Sequence, residues 1–258
     1  MRRLFEDSKE NQGKIIMVEI QALVAAAGRG TRAGLPYPKT LYVVQGKPIL
    51  VRIAELVQGY SSGLTVIASP QGEPEIVNEL QSHAVEAEVL VQAEANGMGD
   101  AVLCFEASSA FSRTEHVLLI WGDIPFIQRE TVERLVSEHL SSDSDFSFAT
   151  RKVDAAYTVV SRDEEGQVTG VVETRELGIG QPQAGEREIG LFIFRKTPVF
   201  EMLKEELAGK WGLKTGEHGF LYVIGHLAAR GYKVQALPIA TELDLVSLNN
   251  LSDLDGYI

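Results

Sequence analysis

Hydrophobic and polar positions along the chain follow two alternating patterns. Short continuous apolar runs are typical of strands buried on both faces, and they alternate with segments whose apolar residues recur every three or four positions, as on one face of a helix. The predicted strands span residues 20–27, 64–69, 87–92, 116–121, 145–150, 156–162, 167–173, 189–195 and 234–239. The predicted helices span residues 48–60, 73–82, 99–110, 129–140, 197–208 and 217–230. This order predicts βαβ units, and hence an α/β fold of three layers around a mixed, mainly parallel sheet.

The pattern changes near residue 150. Beyond it, two β-rich segments flank the turn sequence Asp-Glu-Glu-Gly at 163–166, which predicts a hairpin, and residues 177–188 are rich in Gly, Gln and Pro, which predicts a loop. We therefore expect one domain over residues 17–258, with one half at 17–150 and the other at 151–258. Residues 1–16 are polar and mixed in charge, without the apolar core of a secretory signal, and we expect a flexible extension or an upstream start.

Composition and charge narrow the classes of function. With 258 residues and 45% hydrophobic content, the chain is typical of a globular protein with a substantial core. Its formal net charge of -12 argues against nucleic acid as a partner, because phosphate backbones are bound by an excess of Lys and Arg. No apolar run reaches the roughly 18 residues of a membrane span. Cys104 is the only cysteine, which excludes an intramolecular disulfide, fits a buried structural thiol and agrees with a cytoplasmic location.

A glycine-rich loop follows the first predicted strand, in the sequence AAAGRGTRAGLPYPKTL at residues 25–41. Gly28 and Gly30 allow the backbone to approach a phosphate or a base closely, with amides free to donate. Arg32 and Lys39 place two cations beside the loop, as required where negative charge grows on a transferring phosphoryl group. The loop therefore predicts a phosphate-binding site.

Other interpretations of this loop are open to test from the sequence. It formally matches the dinucleotide-binding pattern G-x-G-x-x-A, which requires a helix to begin within the loop, but Gly34, Pro36 and Pro38 prevent that helix. The Walker pattern G-x-x-x-x-G-K-[ST] does not occur. A plain glycine-rich turn with two solvated cations remains as the structural alternative.

The loop resembles the signature A-A-G-x-G-T-R, followed by L-P-K, of sugar-phosphate nucleotidyltransferases. It is most similar to the N-terminal uridylyltransferase domain of bacterial N-acetylglucosamine-1-phosphate uridylyltransferases. The resemblance implies a three-layer α/β/α, Rossmann-like nucleotidyltransferase fold of the GT-A type, with the nucleotide in the first half and the acceptor in the second. It implies that Arg32 and Lys39 are catalytic, binding the triphosphate and stabilising the transition state, and that backbone groups around Ala26, Ala27 and Gly28 read the base.

A second stretch, QAEANGMGDA at residues 92–101, resembles the family's Q-x-E-x-x-G-T-G-x-A. By that match, Gln92 and Gly97 contact the nucleobase. A Gln at the end of a buried strand can present both a donor and an acceptor to a base edge, although a strand-capping Gln is the structural alternative. Met98 stands where the family has Thr, so the preference for uracil stays open.

Two further stretches predict a magnesium site. LLIWGDIP at residues 118–125 resembles L-x-G-D-x-P, which implies Gly122 at the nucleotide and Asp123 as a metal ligand. An Asp at the carboxyl end of a parallel strand lies where α/β sheets bind ligands, and Mg²⁺ prefers a carboxylate together with phosphate and water oxygens. DLVSLNN at residues 244–250 resembles a segment ending V-N-N or V-N-D, which implies Asn249 as the second metal ligand. An ordinary turn or helix N-cap is the alternative role of the two asparagines.

The acceptor side departs from the family pattern. Val171-Val172-Glu173 resembles the family's I-V-E, whose Glu binds sugar hydroxyls. Thr158 falls at a Gly of G-Y-G-R, Glu188 at the Asn of N-T-G, and Gly219 at the second Tyr of G-E-Y-Y. Thr158, Glu173 and Glu188 are thus the predicted acceptor-binding residues, but the family's sugar is not carried across.

The resemblance predicts a Mg²⁺-dependent enzyme that condenses a nucleoside triphosphate, UTP favoured, with a sugar 1-phosphate and releases pyrophosphate. Its expected partners are these two substrates, with no nucleic acid and no membrane. The alternatives are a cytidylyl- or guanylyltransferase acting on a polyol phosphate or a cofactor precursor, and a non-catalytic nucleotide-sugar sensor. No hexapeptide repeat of the kind that builds the β-helix acetyltransferase domain of bifunctional relatives occurs in the sequence.

Overall fold

The computed structural model describes residues 18–28, 33–174 and 183–257. The strands in these ranges are β1 (Ile20–Ala25), β2 (Val43–Val44), β3 (Lys47–Pro48), β4 (Gly63–Ala68), β5 (Glu88–Val91), β6 (His116–Trp121), β7 (Phe146–Ala156), β8 (Thr158–Arg162), β9 (Val168–Glu173), β10 (Gln183–Arg195) and β11 (Val234–Leu237). The α-helices are α1 (Ile49–Val57), α2 (Glu73–Ser82), α3 (Met98–Leu103), α4 (Arg129–Ser141), α5 (Lys196–Lys204) and α6 (Tyr222–Ala229). None of the helices in these ranges is long and apolar enough to cross a membrane.

The central sheet has the strand order β11-β7-β10-β6-β1-β4-β5. β1 is parallel to both β4 and β6, β4 is parallel to β5, and β7 is parallel to β11. β10 is antiparallel to its two neighbours, β6 and β7. The predicted mixed, mainly parallel sheet is therefore confirmed. Two short antiparallel ribbons, β2-β3 and β8-β9, lie outside this sheet.

Helices cover both faces of the sheet, because the central strands are apolar on both sides. On one face, Ala22 and Val24 of β1 pack in a core with residues of α1, α2 and α4. On the other face, Leu23 of β1 packs in a second core with residues of α3, α5, α6 and the β8-β9 hairpin. Side chains one position apart along a strand thus enter opposite cores, and the predicted three-layer α/β/α fold is confirmed.

The carboxyl ends of the parallel strands lie along one edge of the sheet, which we call the carboxyl edge. β1, β4, β5 and β6 all end there, and the chain leaves them toward residues 26–28, 69, 92 and 122–123. β10 runs in the opposite direction and therefore enters the sheet at this edge. Its first residues pair with the last residues of β7, as in the register Glu188 with Thr150.

Several predicted element boundaries are wrong. The predicted helix 99–110 ends as an α-helix at Leu103 and is followed by a 3-10 helix over Cys104–Ala107. Residues 183–188 form the start of β10 rather than a loop, because β7 continues to Ala156 and pairs with them. The predicted helix 197–208 ends at Lys204, after which Glu205 has an extended backbone. The predicted helix 217–230 begins only at Tyr222. The expected flexible extension at 1–16 and the remainder of the predicted loop, 177–182, lie outside the described residues.

Candidate active site

A cation and a carboxylate meet at the centre of the carboxyl edge. The segments that leave β1 and β6 stay together, because Gly122 N donates to Ala25 O at 3.0 Å. Asp123 follows directly, and its Oδ2 accepts a hydrogen bond from Lys39 Nζ to form an ion pair. Both side chains keep contact with solvent, with 24% of Lys39 and 15% of Asp123 exposed. Two residues that the sequence predicts for phosphate and metal binding thus lie in direct contact.

The glycine-rich loop begins beside this ion pair. Ala26 is buried and its N–H donates to Ile67 O at 2.8 Å, so the chain leaving β1 is still attached to β4. At Gly28 the backbone is exposed, and a Cβ there would lie 3.1 Å from Lys39 Cε. A side chain at this position would require the end of the Lys39 side chain to shift by a few tenths of an ångström. Gly30 and Arg32 lie outside the described residues, so their predicted roles stay predictions.

Three polar atoms on the two segments that carry the ion pair are buried without a hydrogen-bond partner among the described residues. They are Asp123 Oδ1, Thr40 Oγ1 and Trp121 Nε1. Thr40 Oγ1 lies close to the chain at Gly122, since a Cβ at that glycine would be 3.2 Å from it. Buried polar atoms normally have a partner, so such a group indicates a place where a polar ligand binds. Thr40 and Trp121 carry no role in the sequence-based prediction, because each reads there as an ordinary core residue.

The donor set around Asp123 fits magnesium. Asp123 Oδ1 is a carboxylate oxygen with free lone pairs, which is the ligand type that Mg²⁺ takes together with phosphate and water oxygens. The described ranges contain no group of three or more His, Cys, Asp or Glu side chains that could hold a metal ion by themselves. A metal ion at Asp123 would therefore need oxygens from the substrate, which is characteristic of Mg²⁺ in phosphate chemistry.

Asn249 is brought to Asp123 through its neighbour in the chain. Leu248 N donates to Asp123 O at 2.8 Å, and Asn249 is the next residue. The side-chain nitrogen of Asn249 donates to Ser247 Oγ at 3.1 Å, so its side-chain oxygen is the atom left to act as a ligand. The N-cap role belongs to Asn250, which forms a capping box with Asp253 at the 3-10 helix Leu251–Leu254. The two asparagines thus have different structural settings.

Gln92 holds the loop that the sequence assigns to the nucleobase. Its backbone N–H continues the β5 ladder by donating to Ala68 O at 2.9 Å. Its buried side-chain Nε2 donates to Gly97 O at 3.0 Å and to Asp100 Oδ2 at 2.9 Å. The same side chain therefore fixes both the loop and the start of α3. Asp100 is a contact that the sequence-based prediction did not include, since an Asp on a short helix carries no local sign of it.

Gly97 and Gly99 join this loop to the acceptor half. Gly97 has a φ of 104°, and a Cβ there would lie 2.5 Å from His218 O, so only glycine fits. His218 N donates to Asn96 O at 2.6 Å, and Gly99 N donates to His218 O at 2.9 Å. Burial lowers the pKa of His218, with a further contribution from Lys210. His218 precedes the predicted Gly219, but its backbone contacts could not be predicted from local sequence.

The three predicted acceptor residues lie together. Thr158 and Glu173 are directly paired across the β8-β9 hairpin, and Thr158 Oγ1 donates to Glu188 Oε1 at 3.1 Å. The other oxygen of Glu188 accepts from Gly190 N at 2.6 Å. Glu188 is buried, with 2% of its surface exposed. Burial raises the pKa of Glu188, although the hydrogen bond from Gly190 acts in the opposite direction. Glu188 therefore supports Thr158 from the buried side, while Thr158 and Glu173 are only half-buried.

The strand that carries Glu188, β10, adjoins the segment that carries Asp123. Gly190 lies against the indole of Trp121, because a Cβ at Gly190 would be 2.8 Å from the Trp121 ring. The ring centroids of Trp121 and Phe192 are 5.7 Å apart. The nucleotide and acceptor residues therefore lie on neighbouring segments of the same edge.

An open α/β sheet with a glycine-rich loop, a cation and a carboxylate at its carboxyl edge defines a Rossmann-like nucleotidyltransferase. The model of the MobA-like NTP transferase domain family matches residues 22–189, more than half of the chain. The chain belongs to this family.

Individual relatives agree with this assignment. Bifunctional protein GlmU of Symbiobacterium thermophilum is 32% identical over 247 residues, which cover 92% of this chain and 50% of that protein. Bifunctional protein GlmU of Syntrophotalea carbinolica is 31% identical over 187 residues, which cover 72% of this chain and 39% of that protein. The chain thus spans about half the length of these relatives or less.

A solved structure from Bacillus anthracis, described as a glucose-1-phosphate thymidylyltransferase in complex with a sucrose, has the same fold. The TM-score is 0.72 over 92% of both chains. The sequences are 17% identical, so this similarity supports the fold alone.

Proposed function

We propose that this chain is a Mg²⁺-dependent nucleotidyltransferase that condenses a nucleoside triphosphate, UTP favoured, with a sugar 1-phosphate. The products are a nucleotide sugar and pyrophosphate. The observation that carries the proposal is the Lys39–Asp123 ion pair at the carboxyl edge, where Asp123 Oδ1 has no hydrogen-bond partner among the described residues. Membership of the MobA-like NTP transferase domain family supports a nucleoside triphosphate as one of the substrates. The sequence motifs, which resemble those of uridylyltransferases, support UTP.

The reaction is an in-line displacement at the α-phosphorus of the nucleotide. An oxygen of the acceptor phosphate forms a bond to that phosphorus, the bond to the β-phosphate oxygen breaks, and pyrophosphate leaves. The acceptor phosphate is anionic near neutral pH, so no general base is needed. The protein's contribution is alignment and stabilisation of charge.

Each charged group has a defined part in this step. Lys39, together with Arg32, neutralises the phosphate oxygens of the triphosphate. Asp123 and Asn249 would hold Mg²⁺, which would supply positive charge beside the leaving pyrophosphate. In the described structure Lys39 donates to Asp123 Oδ2. Lys39 therefore exchanges this carboxylate for a phosphate oxygen when the nucleotide binds.

The remaining site residues select the substrates. Backbone groups at Ala26, Ala27 and Gly28 approach the base, and Gln92 and Gly97 read its edge. Thr158 and Glu173 bind the acceptor's hydroxyl groups, and Glu188 holds Thr158 in place through their 3.1 Å hydrogen bond.

Pyrophosphate release tests the proposal. The assay uses Mg²⁺ with UTP, CTP, GTP, ATP or dTTP, each paired with hexose 1-phosphates and with polyol phosphates. Release that requires UTP and one hexose 1-phosphate together supports the proposal. Release that requires CTP or GTP with a polyol phosphate would contradict the proposed substrates and identify a cytidylyl- or guanylyltransferase. If no pair releases pyrophosphate but calorimetry shows that a nucleotide binds, the protein is a nucleotide-sugar sensor and not an enzyme.

A further inference from the structure

Asp244 is a fully buried carboxylate with four hydrogen-bond donors. Its Oδ1 accepts from Gln128 N at 2.7 Å, and its Oδ2 accepts from Thr131 Oγ1 at 2.9 Å. Oδ2 also accepts from Thr241 N and Thr241 Oγ1, both at 2.7 Å. Its exposed fraction is 0%. A buried carboxylate destabilises a fold unless hydrogen-bond donors surround it. These bonds therefore hold residues 128–131 firmly to residues 241–244.

The two segments that Asp244 joins are those of the proposed metal site. Gln128 and Thr131 lie at the start of α4, which follows directly on the segment of Asp123. Thr241 lies at the start of the segment 241–250, which leads to Asn249. Downstream of Asp244, Val246 and Leu248 are buried in the core, and Leu248 N donates to Asp123 O at 2.8 Å. The segment is thus attached at Asp244 and again at Leu248, and Asn249 follows the second attachment.

We propose that Asp244 is a positioning residue for the metal site, holding segment 241–250 so that Asn249 lies beside Asp123. The inference rests on the proposed function, because it assigns Asp123 and Asn249 as the metal ligands. Asp244 is fully buried and both of its oxygens accept from protein donors, so it acts on the metal site through other residues. Its effect is transmitted through the backbone, by the hydrogen bond from Leu248 N to Asp123 O.

Asp244→Asn removes the negative charge of the side chain while nearly preserving its shape. The amide keeps one acceptor oxygen, which takes the Oδ2 position with its three donors, so its NH₂ group faces the donor Gln128 N, which loses its partner. Thr131→Val is a milder change, since it removes one hydrogen bond and leaves the carboxylate in place. Thr114→Val is the matched control, because it removes one buried threonine hydroxyl bond, to Ala110 O, at the amino end of β6.

Two measurements are made on each variant. The first is the Mg²⁺ concentration for half-maximal pyrophosphate release, measured separately from turnover at saturating Mg²⁺. The second is hydrogen exchange at the Leu248 amide, followed by NMR without substrate. We expect D244N to raise the half-maximal Mg²⁺ concentration by at least about tenfold, as supporting residues of metal sites do. Turnover at saturating Mg²⁺ should stay within about threefold of wild type.

The exchange measurement should agree with the kinetics. In D244N the Leu248 amide should exchange at least about tenfold faster, while amides of β6 keep their protection. T131V should show both effects in smaller measure, and T114V should show neither. If D244N does not fold, T131V carries the test with the same two readouts.

The outcomes separate this inference from the proposed function. A wild-type protein that releases no pyrophosphate with any substrate pair contradicts the proposed function, and the positioning role fails with it. If wild type is active, the positioning role alone is overturned when the folded variants match wild type in the half-maximal Mg²⁺ concentration or in exchange at the Leu248 amide. Faster exchange with an unchanged Mg²⁺ requirement would make Asp244 a purely structural residue.

Discussion

Lys39 Nζ donates to Asp123 Oδ2, so the cation after the glycine-rich loop is paired with the carboxylate after the central strand β6. The two residues come from segments that β1 and β6 bring to the same edge of the sheet. The pair satisfies both charges before any substrate arrives. Under the proposed function, Lys39 would bind a phosphate oxygen and Asp123 would hold Mg²⁺ once both substrates are present. The two side chains should therefore act as one unit.

Lys39→Ala and Asp123→Ala should each lower turnover at least about a hundredfold, because each removes charge stabilisation from the transition state. The loss of turnover in the double variant should be far smaller than the product of the two single losses, as expected for residues that act together. Single-turnover pyrophosphate release measures this, with circular dichroism to verify folding. Lys47→Ala is the matched control, since Lys47 is paired with Glu55 on the surface. Turnover near the wild-type value in either single variant would contradict the assignment.

Gln92→Ala should raise the KM for the nucleotide by about tenfold with a smaller effect on kcat, as loss of one hydrogen bond to the base predicts. Gln92 also holds the loop through Asp100, so Asp100→Asn is the matched variant. A role in reading the base predicts that only Gln92→Ala changes the preference between UTP and CTP. If Asp100→Asn reproduces the whole effect, Gln92 serves the loop alone.

Glu188 and Glu186 should have opposite effects on stability. Burial raises the pKa of Glu188 above its ordinary value of 4.5, so the folded state holds the proton more tightly and stability falls as the pH rises above that value. Glu188→Gln lacks this loss, because the neutral amide does not ionise. The stability of Glu188→Gln relative to wild type should therefore increase as the pH rises above 4.5, in urea unfolding experiments.

The comparison with Glu186 supplies the control. Burial acts to raise the pKa of Glu186, but hydrogen bonds from Arg162 and Thr150 outweigh it and lower the pKa. Its stabilising contribution is present above about pH 4.5 and is lost as the pH falls through its folded pKa. Glu186→Gln should be less stable than wild type at neutral pH, by about 1–3 kcal/mol, with the gap closing in acid. The same pH trend in both variants would contradict the assignment.

His139 should make the protein sensitive to acid. Its ring nitrogens contact His116 Nδ1 and Ser147 Oγ, both at 2.9 Å, and its side chain is fully buried. Burial, followed by the charges of His116 and Arg195, lowers the pKa of His139 from 6.5 to about 3. The unfolded chain therefore binds a proton that the folded chain does not, and stability falls as the pH drops below 6.5.

His139→Gln removes this titration. The decrease in the free energy of unfolding between pH 6.5 and 4.5 should shrink by about 2 kcal/mol. Urea unfolding at several pH values measures it, and the exposed His83→Gln is the control that should keep the wild-type decrease. An equal decrease in His139→Gln and wild type would show that other groups dominate acid unfolding.

Much of the fold follows from local patterns in the sequence. β6 and α2 begin and end at the predicted residues, because β6 is a short apolar run and α2 starts with Glu and Pro at a clear change of pattern. The start of β10 has no such pattern. Residues 183–188 are polar, and they form a strand only because β7 offers a partner more than 25 residues away along the chain. Pairing of this kind is a tertiary effect that local propensity does not contain.

The site divides in the same way. Motifs at the ends of β1 and β6 predict Lys39 and Asp123, and the structure brings these two residues into contact. The hydrogen bonds of Asp244 to Gln128 and Thr131 join residues 116 and 113 positions apart, with no periodic or turn signal to indicate them. The sequence therefore indicates the residues of the candidate site more fully than the residues that hold its segments in place.

The antiparallel strand β10 also determines the order in which the protein can assemble. β10 is the link between two groups of strands, β5-β4-β1-β6 and β7-β11. On the ribosome, the first group can pair as soon as Trp121 has emerged, but β6 then has an open apolar edge, and such an edge readily pairs with another chain. This exposure lasts until Arg195 has also emerged. Translation speed and chaperone access between these two points should therefore govern how much of the chain reaches its native state in the cell.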